Sequence, residues 1–332
     1  MNLERLHWLD IAKGLLIISV LLYHIPIFAK QNGIDNFIWM FYARPWFKYY
    51  FMPAFFIITG FCSSFERKTL WKFVKKNFKL LILPGFLVSI GTPIGSHLLH
   101  RNTQLLDYWI PIRDFFYTGG FWFLTSLFFG KIIYFSLCKI SRSSYIRGGG
   151  TLLLLVIGVV MRNQGVANVW FIENTMCLCI FFWIGEILSQ YHKKLLEKKM
   201  ILIYSIIYFP IAYLPSLYNI NLPFVTLHVS INYLYIPLFL ILSVSGSMML
   251  LSLSKLIGTC SVIEYIGKRT LVIYIFHMYI LLSILPYLVE KIPQGFIGSI
   301  IGVVLILYTI LICLGVDFVL NNRYLKWFLG KF

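Results

Sequence analysis

The chain has 332 residues, of which 59% are hydrophobic and only 12% are charged, and its mean hydropathy is +0.82. A soluble domain carries about 25% charged residues, so a soluble fold of this length would lack the polar side chains that its surface needs. The composition excludes soluble enzymes, collagen-like fibres, disordered tails and secreted disulfide scaffolds. It predicts an all-α integral membrane protein, a polytopic bundle in which a single domain extends over residues 1–332.

Ten apolar stretches follow one another along the chain. A hydrocarbon core about 30 Å thick requires about 20 apolar residues per helix. The predicted spans are 11–29, 46–65, 78–99, 120–140, 151–161, 166–188, 200–217, 228–254, 270–289 and 296–320. The stretch 151–161 is short, so we expect it to extend into its neighbours or to tilt little. The stretch 105–116 is too short and too charged to span, and we interpret it as an interfacial segment.

The basic residues report the orientation of these spans. The chain has 29 Lys and Arg against 12 Asp and Glu, a net charge of +17. In a soluble protein this excess would indicate a nucleic-acid partner, but cytoplasmic loops of membrane proteins are themselves rich in Lys and Arg. With a cytoplasmic N-terminus, the inner segments hold about three times as many basic residues as the outer ones. This alternation supports ten spans and places both termini in the cytoplasm.

The surroundings of the protein follow from the same features. No small-residue cleavage site follows the long first apolar run, so no cleavable signal peptide is expected. We predict a multi-pass protein of the cell (inner) membrane that contacts membrane lipids and no nucleic acid. The six cysteines lie mostly in apolar runs, and the C-x-C pair Cys177 and Cys179 matches no zinc spacing. Neither a disulfide bond nor a metal site is expected.

Ionisable side chains inside predicted spans are costly, so each of them is a candidate functional group. Each also has a structural interpretation, in which it pairs with a neighbour or reaches the interface. The candidates are Asp10, Lys13, His24, Lys131, Glu173, Glu186, His228, His277 and Asp317.

The first predicted helix arranges three of these candidates along one face. Lys13 and His24 are eleven residues apart, close to three helical turns, or about 16 Å along the axis. Asp10 lies one turn before Lys13. An imidazole inside the membrane can accept and return a proton at neutral pH, as a general base must. A core histidine bonded to a neighbouring helix explains the same spacing equally well.

A basic face precedes the third predicted span. Lys72, Lys75, Lys76 and Lys79 recur at intervals of three and four residues and therefore share one side of a helix. This face is interpreted either as a ridge that binds the phosphates of an anionic cytoplasmic cofactor or as a flank that docks on anionic headgroups. The lysines alone do not distinguish the two.

Six short motifs occur in order along the chain. Lys13 is followed by ten residues and then His24, and residues 52–61 read MPAFFIITGF. The others are Lys76-x-x-Lys79 with Pro84 beyond it, FWFL at 121–124 with LF at 127–128, FFWIG at 181–185 and YIFH at 274–277. Together they resemble the acyltransferase 3 family of integral membrane acyltransferases, whose motifs include a basic residue ten residues before a histidine, MPxFFxxSGF, RxxR before a proline, and WFL…LF. The resemblance covers almost the whole chain and is closest to the stand-alone sugar O-acetylase branch.

The chain departs from the family pattern at three places. Lysines replace both arginines of RxxR, which keeps the charge but loses bidentate phosphate geometry. Thr59 replaces the serine of the second motif. Phe51 stands where the sugar-acetylase branch often has a histidine, so no second-histidine role is expected at that position.

The resemblance implies a membrane-embedded O-acyltransferase. Such an enzyme moves an acyl group, usually acetyl, from cytoplasmic acyl-CoA to a hydroxyl of an envelope or exported glycan or a lipid-linked sugar. Acetyl-CoA is the implied acyl donor, and His24 is the implied general base or transient acyl carrier. Asp10 is grouped with His24 as catalytic because it would position Lys13. The residues expected to hold the CoA phosphates are Lys13, Lys75, Lys76 and Lys79.

Three residues are predicted to contact the acceptor, namely Trp122, Glu173 and His277. The Trp122 ring could stack on a sugar, although it fits a lipid-facing aromatic belt equally well. An alternative function is a transporter or flippase for an anionic glycolipid or polysaccharide precursor, but neither inverted repeats nor matching discontinuous helices are apparent. A structural scaffold is a third possibility, and it gives no reason for the aligned Lys13 and His24.

Overall fold

The structure is a computed structural model that describes residues 6–31, 33, 37–63, 69–98, 113, 115, 121–165, 169–220, 222, 232–288, 292, 293 and 296–330. Within these ranges all regular structure is helical, as the composition predicts. Helices satisfy every interior backbone group within one segment, which lipid requires. The predicted interfacial segment 105–116 lies outside the described residues except for Arg113 and Phe115, and His228 lies outside them altogether.

The first half of the chain contains both long and short helices. They are α1 (His7–Gln31), α2 (Ile38–Ala43), α3 (Pro45–Lys48), α4 (Phe51–Cys62), α5 (Leu70–Asn77), a π-helix (Phe78–Ile82), α6 (Leu83–Leu98), α7 (Trp122–Ile140) and α8 (Ser144–Asn163). The π-helix joins α5 to α6 without a break. It therefore widens one turn of a continuous helix.

The remaining helices lie in the second half of the chain. These are α9 (Ile172–Leu178), α10 (Ile180–Leu195), α11 (Lys198–Ala212), α12 (Leu214–Leu217), α13 (Ile236–Ile257), α14 (Ser261–Gly267), α15 (Thr270–Ile284) and α16 (Phe296–Leu320). Short 3-10 turns precede α9 and α13, follow α15 and close the described chain at Lys326–Leu329.

Seven of the predicted spans recur as helices that are long and apolar enough to cross a membrane. Among the described residues these helices are His7–Gln31, Trp122–Ile140, Ser144–Asn163, Ile172–Leu195, Lys198–Leu217, Tyr233–Ile257 and Phe296–Leu320. The short stretch 151–161 extends in both directions into α8, as expected. An eighth span results if α14 and α15, which meet at an angle of 77°, are counted together. The total of ten and the orientation of the termini stay predictions.

The three other predicted spans are interrupted or short in the described part of the chain. The stretch 46–65 divides between α3 and the twelve-residue α4. The stretch 78–99 begins in the π-helix and continues as α6. The stretch 270–289 is helical only as far as Ile284, after which Leu285–Tyr287 forms a 3-10 turn that contains a proline. Proline cannot donate the backbone hydrogen bond that would continue the helix.

The chain divides into two compact units, and each is built from separate stretches of sequence. The first unit comprises residues 1–55, 191–220 and 235–319, and the second comprises 56–190, 221–234 and 320–332. In the first unit α1 packs against α13, α14 and α15, and α11 packs against α13. That a single domain spans residues 1–332 stays a prediction.

Glycines bring α1 and α14 together in the first unit. A Cβ on Gly14 would collide with the backbone of Ile263, and a Cβ on Gly267 would collide with the carbonyl of Asp10. The backbones therefore approach more closely than any larger residue allows, as is common between membrane helices. The contact fixes the position of α14 against the beginning of α1.

In the second unit, glycines likewise allow a close approach of two helices, here at the MPAFFIITGF motif of residues 52–61. A Cβ on Gly60 would collide with the backbone of Phe182, and a Cβ on Gly185 would collide with the carbonyl of Ile57. Phe56 of the same motif lies 5.0 Å from the Phe182 ring, centroid to centroid. The motif therefore packs α4 against α10.

We predict that Gly267→Ala destabilises the protein, because the added methyl group forces α14 away from α1. Overpacking of this kind costs about 1–3 kcal/mol, and the change should lower the Tm measured in detergent or nanodiscs. Gly149→Ala is the matched control, since a Cβ at that helical position meets nothing within 4 Å. An unchanged Tm for Gly267→Ala would contradict the close approach.

Candidate functional site

The pair Asp10 and Lys13 lies in the first turns of α1. The Lys13 ammonium donates a hydrogen bond of 2.6 Å to Oδ1 of Asp10, whose side chain is buried while Lys13 is half-buried. One helical turn separates the two residues, so the contact forms within the helix itself. An ammonium has three donors, and the bond to Asp10 occupies one of them. The arrangement fixes Lys13 in place and leaves donors for another anion.

His24 and His277 come together in the interior of the first unit. Their ring centroids are 5.5 Å apart, with 57° between the ring planes. His277 of α15 is 2% exposed, whereas His24 is half-buried. The sequence predicts a functional role for each histidine separately, and the structure places them side by side.

Backbone hydrogen bonds determine which nitrogen of each ring is basic. Nδ1 of His24 lies 2.9 Å from the carbonyl oxygen of Val20, and Nδ1 of His277 lies 2.7 Å from that of Tyr274. A carbonyl oxygen only accepts, so Nδ1 of each neutral ring carries the proton and Nε2 carries the lone pair. Nε2 of His277 is buried, and no residue in the described ranges bonds to it. Both rings thus present a basic Nε2.

Aromatic rings hold the His24 side chain in place. Phe28, one turn later on α1, stacks on the imidazole at 5.6 Å with 17° between the planes. The Tyr23 ring meets it edge-on at 5.1 Å and also contacts Phe51 at 5.5 Å. Phe51 therefore belongs to the aromatic surroundings of the site.

Arg44 is a neighbour of this site that the sequence analysis did not single out. Its guanidinium lies 4.9 Å from the centroids of both the Tyr23 and the Phe41 rings, and its charge is within electrostatic range of His24. In the sequence Arg44 contributes only to the count of outer basic residues. Its position within the aromatic run at residues 37–50 is the one local signal that could have identified it.

Asp317, another ionisable candidate, has a structural partner in the first unit, where two further charge contacts also occur. Arg269 donates a hydrogen bond of 2.8 Å to Asp317, and Nδ1 of His7 lies 2.8 Å from the buried carboxylate of Glu264. The Lys268 ammonium lies 3.8 Å from the same Glu264 carboxylate. These contacts join helix ends, which favours the structural interpretation of Asp317.

In the second unit Glu186 belongs to a hydrogen-bonded cluster. Arg147 donates to both of its carboxylate oxygens, at 2.5 and 3.1 Å, and the hydroxyl of Tyr134 donates to it at 2.5 Å. Arg147 and Glu186 are mostly buried. The cluster joins α7, α8 and α10, so Glu186 serves packing.

Three of the four predicted cofactor-binding lysines lie on the basic face of the second unit, whereas Lys13 belongs to the first. Lys75 and Lys76 of α5 are exposed, and Lys79 is half-buried within the π-helix. A π-helix often marks a functional position. Gly330, at a φ of +70°, packs its backbone against the carbonyl of Lys79. The end of the described chain thus supports the π-helix from one side.

The two remaining predicted acceptor residues also lie in the second unit. Trp122 is half-buried at the start of α7, and its ring meets that of Phe123 edge-on at 6.4 Å. Glu173 is buried in the first turn of α9, within electrostatic range of Arg162. Arg162 donates a hydrogen bond of 2.9 Å to Asn174. The roles of Trp122 and Glu173 in binding the acceptor stay predictions.

Comparison with known proteins supports the family resemblance that the sequence motifs indicate. A family model described as an acyltransferase domain matches residues 6–317, nearly the whole chain. No curated protein and no solved structure matches the chain. Among the described residues, His, Cys, Asp and Glu form no group of three or more that could hold a metal ion.

We predict that Glu186→Gln lowers stability without abolishing acyl transfer per folded molecule. The change leaves the mostly buried Arg147 guanidinium without its carboxylate, which costs about 1–3 kcal/mol and should lower the Tm. Glu197→Gln is the control, because the Glu197–Lys199 pair is exposed and such pairs contribute little. Loss of transfer at full stability would instead make Glu186 a catalytic acid or base.

Proposed function

Because this chain belongs to the acyltransferase 3 family, we propose that it transfers an acyl group, usually acetyl, from cytoplasmic acyl-CoA to a glycan hydroxyl. The family match and the apolar helices make it a multi-pass membrane acyltransferase. The donor, the acceptor and the role of the histidines are the proposed part. The observation that carries them is the pair of neighbouring imidazoles, half-buried His24 and buried His277, each with a basic Nε2.

His24 is proposed as the base that activates the acceptor. Nε2 of His24 takes the proton of the hydroxyl while the hydroxyl oxygen bonds to the thioester carbonyl carbon. The carbon–sulfur bond then breaks, and the imidazolium returns the proton so that CoA leaves as a thiol. In the alternative route Nε2 itself attacks the thioester, the carbon–sulfur bond breaks, and CoA leaves as a thiolate from an acyl-histidine. The hydroxyl oxygen then bonds to the acyl carbon, the carbon–nitrogen bond breaks, and the hydroxyl proton passes to the thiolate. Both routes use the same nitrogen.

His277 is proposed to position the acceptor. Its Nε2 accepts hydrogen bonds, and burial without a partner among the described residues is costly for such an atom. A sugar carries adjacent hydroxyls, so one can donate to His24 while the next donates to His277. The pair would then select an acceptor with two neighbouring hydroxyls and orient one of them for attack.

Lys13 is proposed to bind a phosphate of acetyl-CoA, with Asp10 holding the ammonium in place. Lys13 lies about 16 Å from His24 along α1, and the pantetheine arm of CoA would extend along this distance. Lys75, Lys76 and Lys79 are proposed as further phosphate ligands, because they match the family's basic segment. The proposed location is the cell (inner) membrane, with the donor on the cytoplasmic side.

We predict that an envelope glycan loses an acyl mass increment when the gene is deleted, and regains it with wild type but not with His24→Ala. Loss of a general base lowers the rate by about 10²–10⁴-fold. Mass analysis of the glycans, at matched protein levels in the membrane, measures the increment and identifies both the acyl group and the acceptor. His192→Ala is a histidine control outside the proposed site.

Two outcomes would contradict this proposal. Full transfer by His24→Ala would refute the role of the histidine. Unchanged acylation with a glycan accumulating on the wrong side of the membrane would instead indicate the transporter.

We also predict that acetyl-CoA raises the Tm of the purified protein in nanodiscs. A ligand at about 100 times its Kd stabilises the folded state by about 2.7 kcal/mol. Changing Lys75, Lys76 and Lys79 together to Gln should reduce the shift if they bind phosphates. The control changes three exposed lysines, Lys193, Lys194 and Lys198. An undiminished shift in the first triple variant would leave headgroup docking as the role of the basic face.

A further inference from the structure

Arg44 and Lys48 form a pair of cations beside the histidine site. Arg44 lies between α2 and α3, and Lys48 ends α3 one helical turn later. Both side chains are half-buried. The Lys48 ammonium lies 5.6 Å from the centroid of the Tyr49 ring, and the Arg44 guanidinium lies against the Tyr23 and Phe41 rings. Aromatic faces thus hold both cations within the protein.

The arrangement of Arg44 and Lys48 is energetically unfavourable when no anion is bound. Two like charges one helical turn apart repel each other. Nε of Arg44 is buried, and in the described part of the chain it donates to no acceptor. No carboxylate in these described ranges pairs with either cation, whereas Asp10 pairs with Lys13.

Arg44, whose buried Nε lacks an acceptor in the described part of the chain, lies close to the proposed base His24. The Tyr23 ring contacts both the Arg44 guanidinium, at 4.9 Å, and the His24 imidazole, at 5.1 Å. Arg44 and the proposed base therefore share a neighbouring ring, and an anion bound to Arg44 would lie near the hydroxyl that His24 activates. Lys30 at the end of α1 also lies over Phe41, at 5.2 Å, but is exposed. Arg44 faces the site, while Lys30 has the exposure expected of a headgroup contact.

We propose that Arg44 and Lys48 bind a carboxylate or phosphate of the acceptor, close to its acylated hydroxyl. The inference rests on the proposed acyl transfer and narrows its acceptor to an acidic glycan. A guanidinium is a planar donor that matches the two oxygens of a carboxylate or phosphate. Such a ligand would accept from the buried Nε and reduce the repulsion within the pair. An anionic acceptor thus accounts for both unfavourable features together.

The test uses purified wild-type protein in phosphatidylcholine nanodiscs with acetyl-CoA and three forms of the glycan from the deletion strain. One form is native, one has its carboxyl groups chemically reduced to alcohols, and one has its phosphates removed. We expect the native form to be acylated at least about 10-fold faster than whichever form has lost the recognised anion. Arg44→Gln and Lys48→Gln should raise the KM for the native glycan and abolish this preference.

Two controls separate acceptor binding from other roles. The rise in Tm that acetyl-CoA produces, which needs no acceptor, should persist in Arg44→Gln, and its persistence also shows that the variant folds. Arg44→Lys keeps the charge and should retain part of the preference. Lys30→Gln removes an exposed charge from the same end of α1 and should leave the preference intact.

Four results would overturn the inference. Equal transfer to the native glycan and to both neutralised forms would mean that no acceptor anion is recognised. A preference that survives in the Arg44→Gln, Lys48→Gln double variant would place the recognition elsewhere. A preference that appears only with anionic phosphatidylglycerol in the nanodiscs would indicate a headgroup site. Loss of the acetyl-CoA-induced rise in Tm in Arg44→Gln would assign Arg44 to donor binding or to folding instead.

The failure of the proposed function has a different signature. If no form of the glycan is acylated and acetyl-CoA is not consumed, acyl transfer itself is refuted. If the glycan is acylated without regard to charge, acyl transfer stands and only the acidic acceptor is refuted.

Discussion

The hydrogen bonds from imidazole Nδ1 to backbone carbonyls within the same helix are the constraint on which the site depends. Lipid offers no partner to a polar side chain, so His24 and His277 each bond to a carbonyl of the preceding turn. The hydroxyls of Ser19 and Thr309 do the same. In a histidine this bond also fixes the tautomer, because it holds the proton on Nδ1. The packing solution for a buried polar group thereby creates a base at Nε2.

The close approach of α1 and α14 determines what faces that base. Gly14 and Gly267 allow the two backbones to touch, and α14 joins α15 through a bend of 77° at Lys268 and Arg269. The bend turns α15 so that His277 meets His24 within the first unit. A shift of α14 along α1 would be transmitted to His277 through the short connection. The glycine contact therefore bears on the site although neither glycine touches a histidine.

The sequence predicts those features that depend on local order. Seven uninterrupted apolar runs became long helices, because length and hydropathy decide them. Asp10 and Lys13 pair as their one-turn spacing suggests. His24 and His277 are far apart in the chain, and no periodic rule relates them, so their meeting depends on tertiary packing. Arg44 was overlooked for the same reason, since only the fold places its guanidinium against Tyr23.

Lys13, near the start of α1, and Arg44, near its end, have different surroundings, and the difference suits the two substrates of an acyl transfer. Lys13 is held by a carboxylate and keeps donors available, which suits a flexible polyphosphate such as CoA that binds and leaves in every cycle. Arg44 instead lies against aromatic rings, and no carboxylate among the described residues accepts a hydrogen bond from its guanidinium. Such an environment discriminates more strongly, because an acceptor without an anion leaves the buried Nε unsatisfied. Selection of the acceptor would then depend on the cost of leaving the anion site of Arg44 empty, while recognition of the proposed CoA donor would depend on charge.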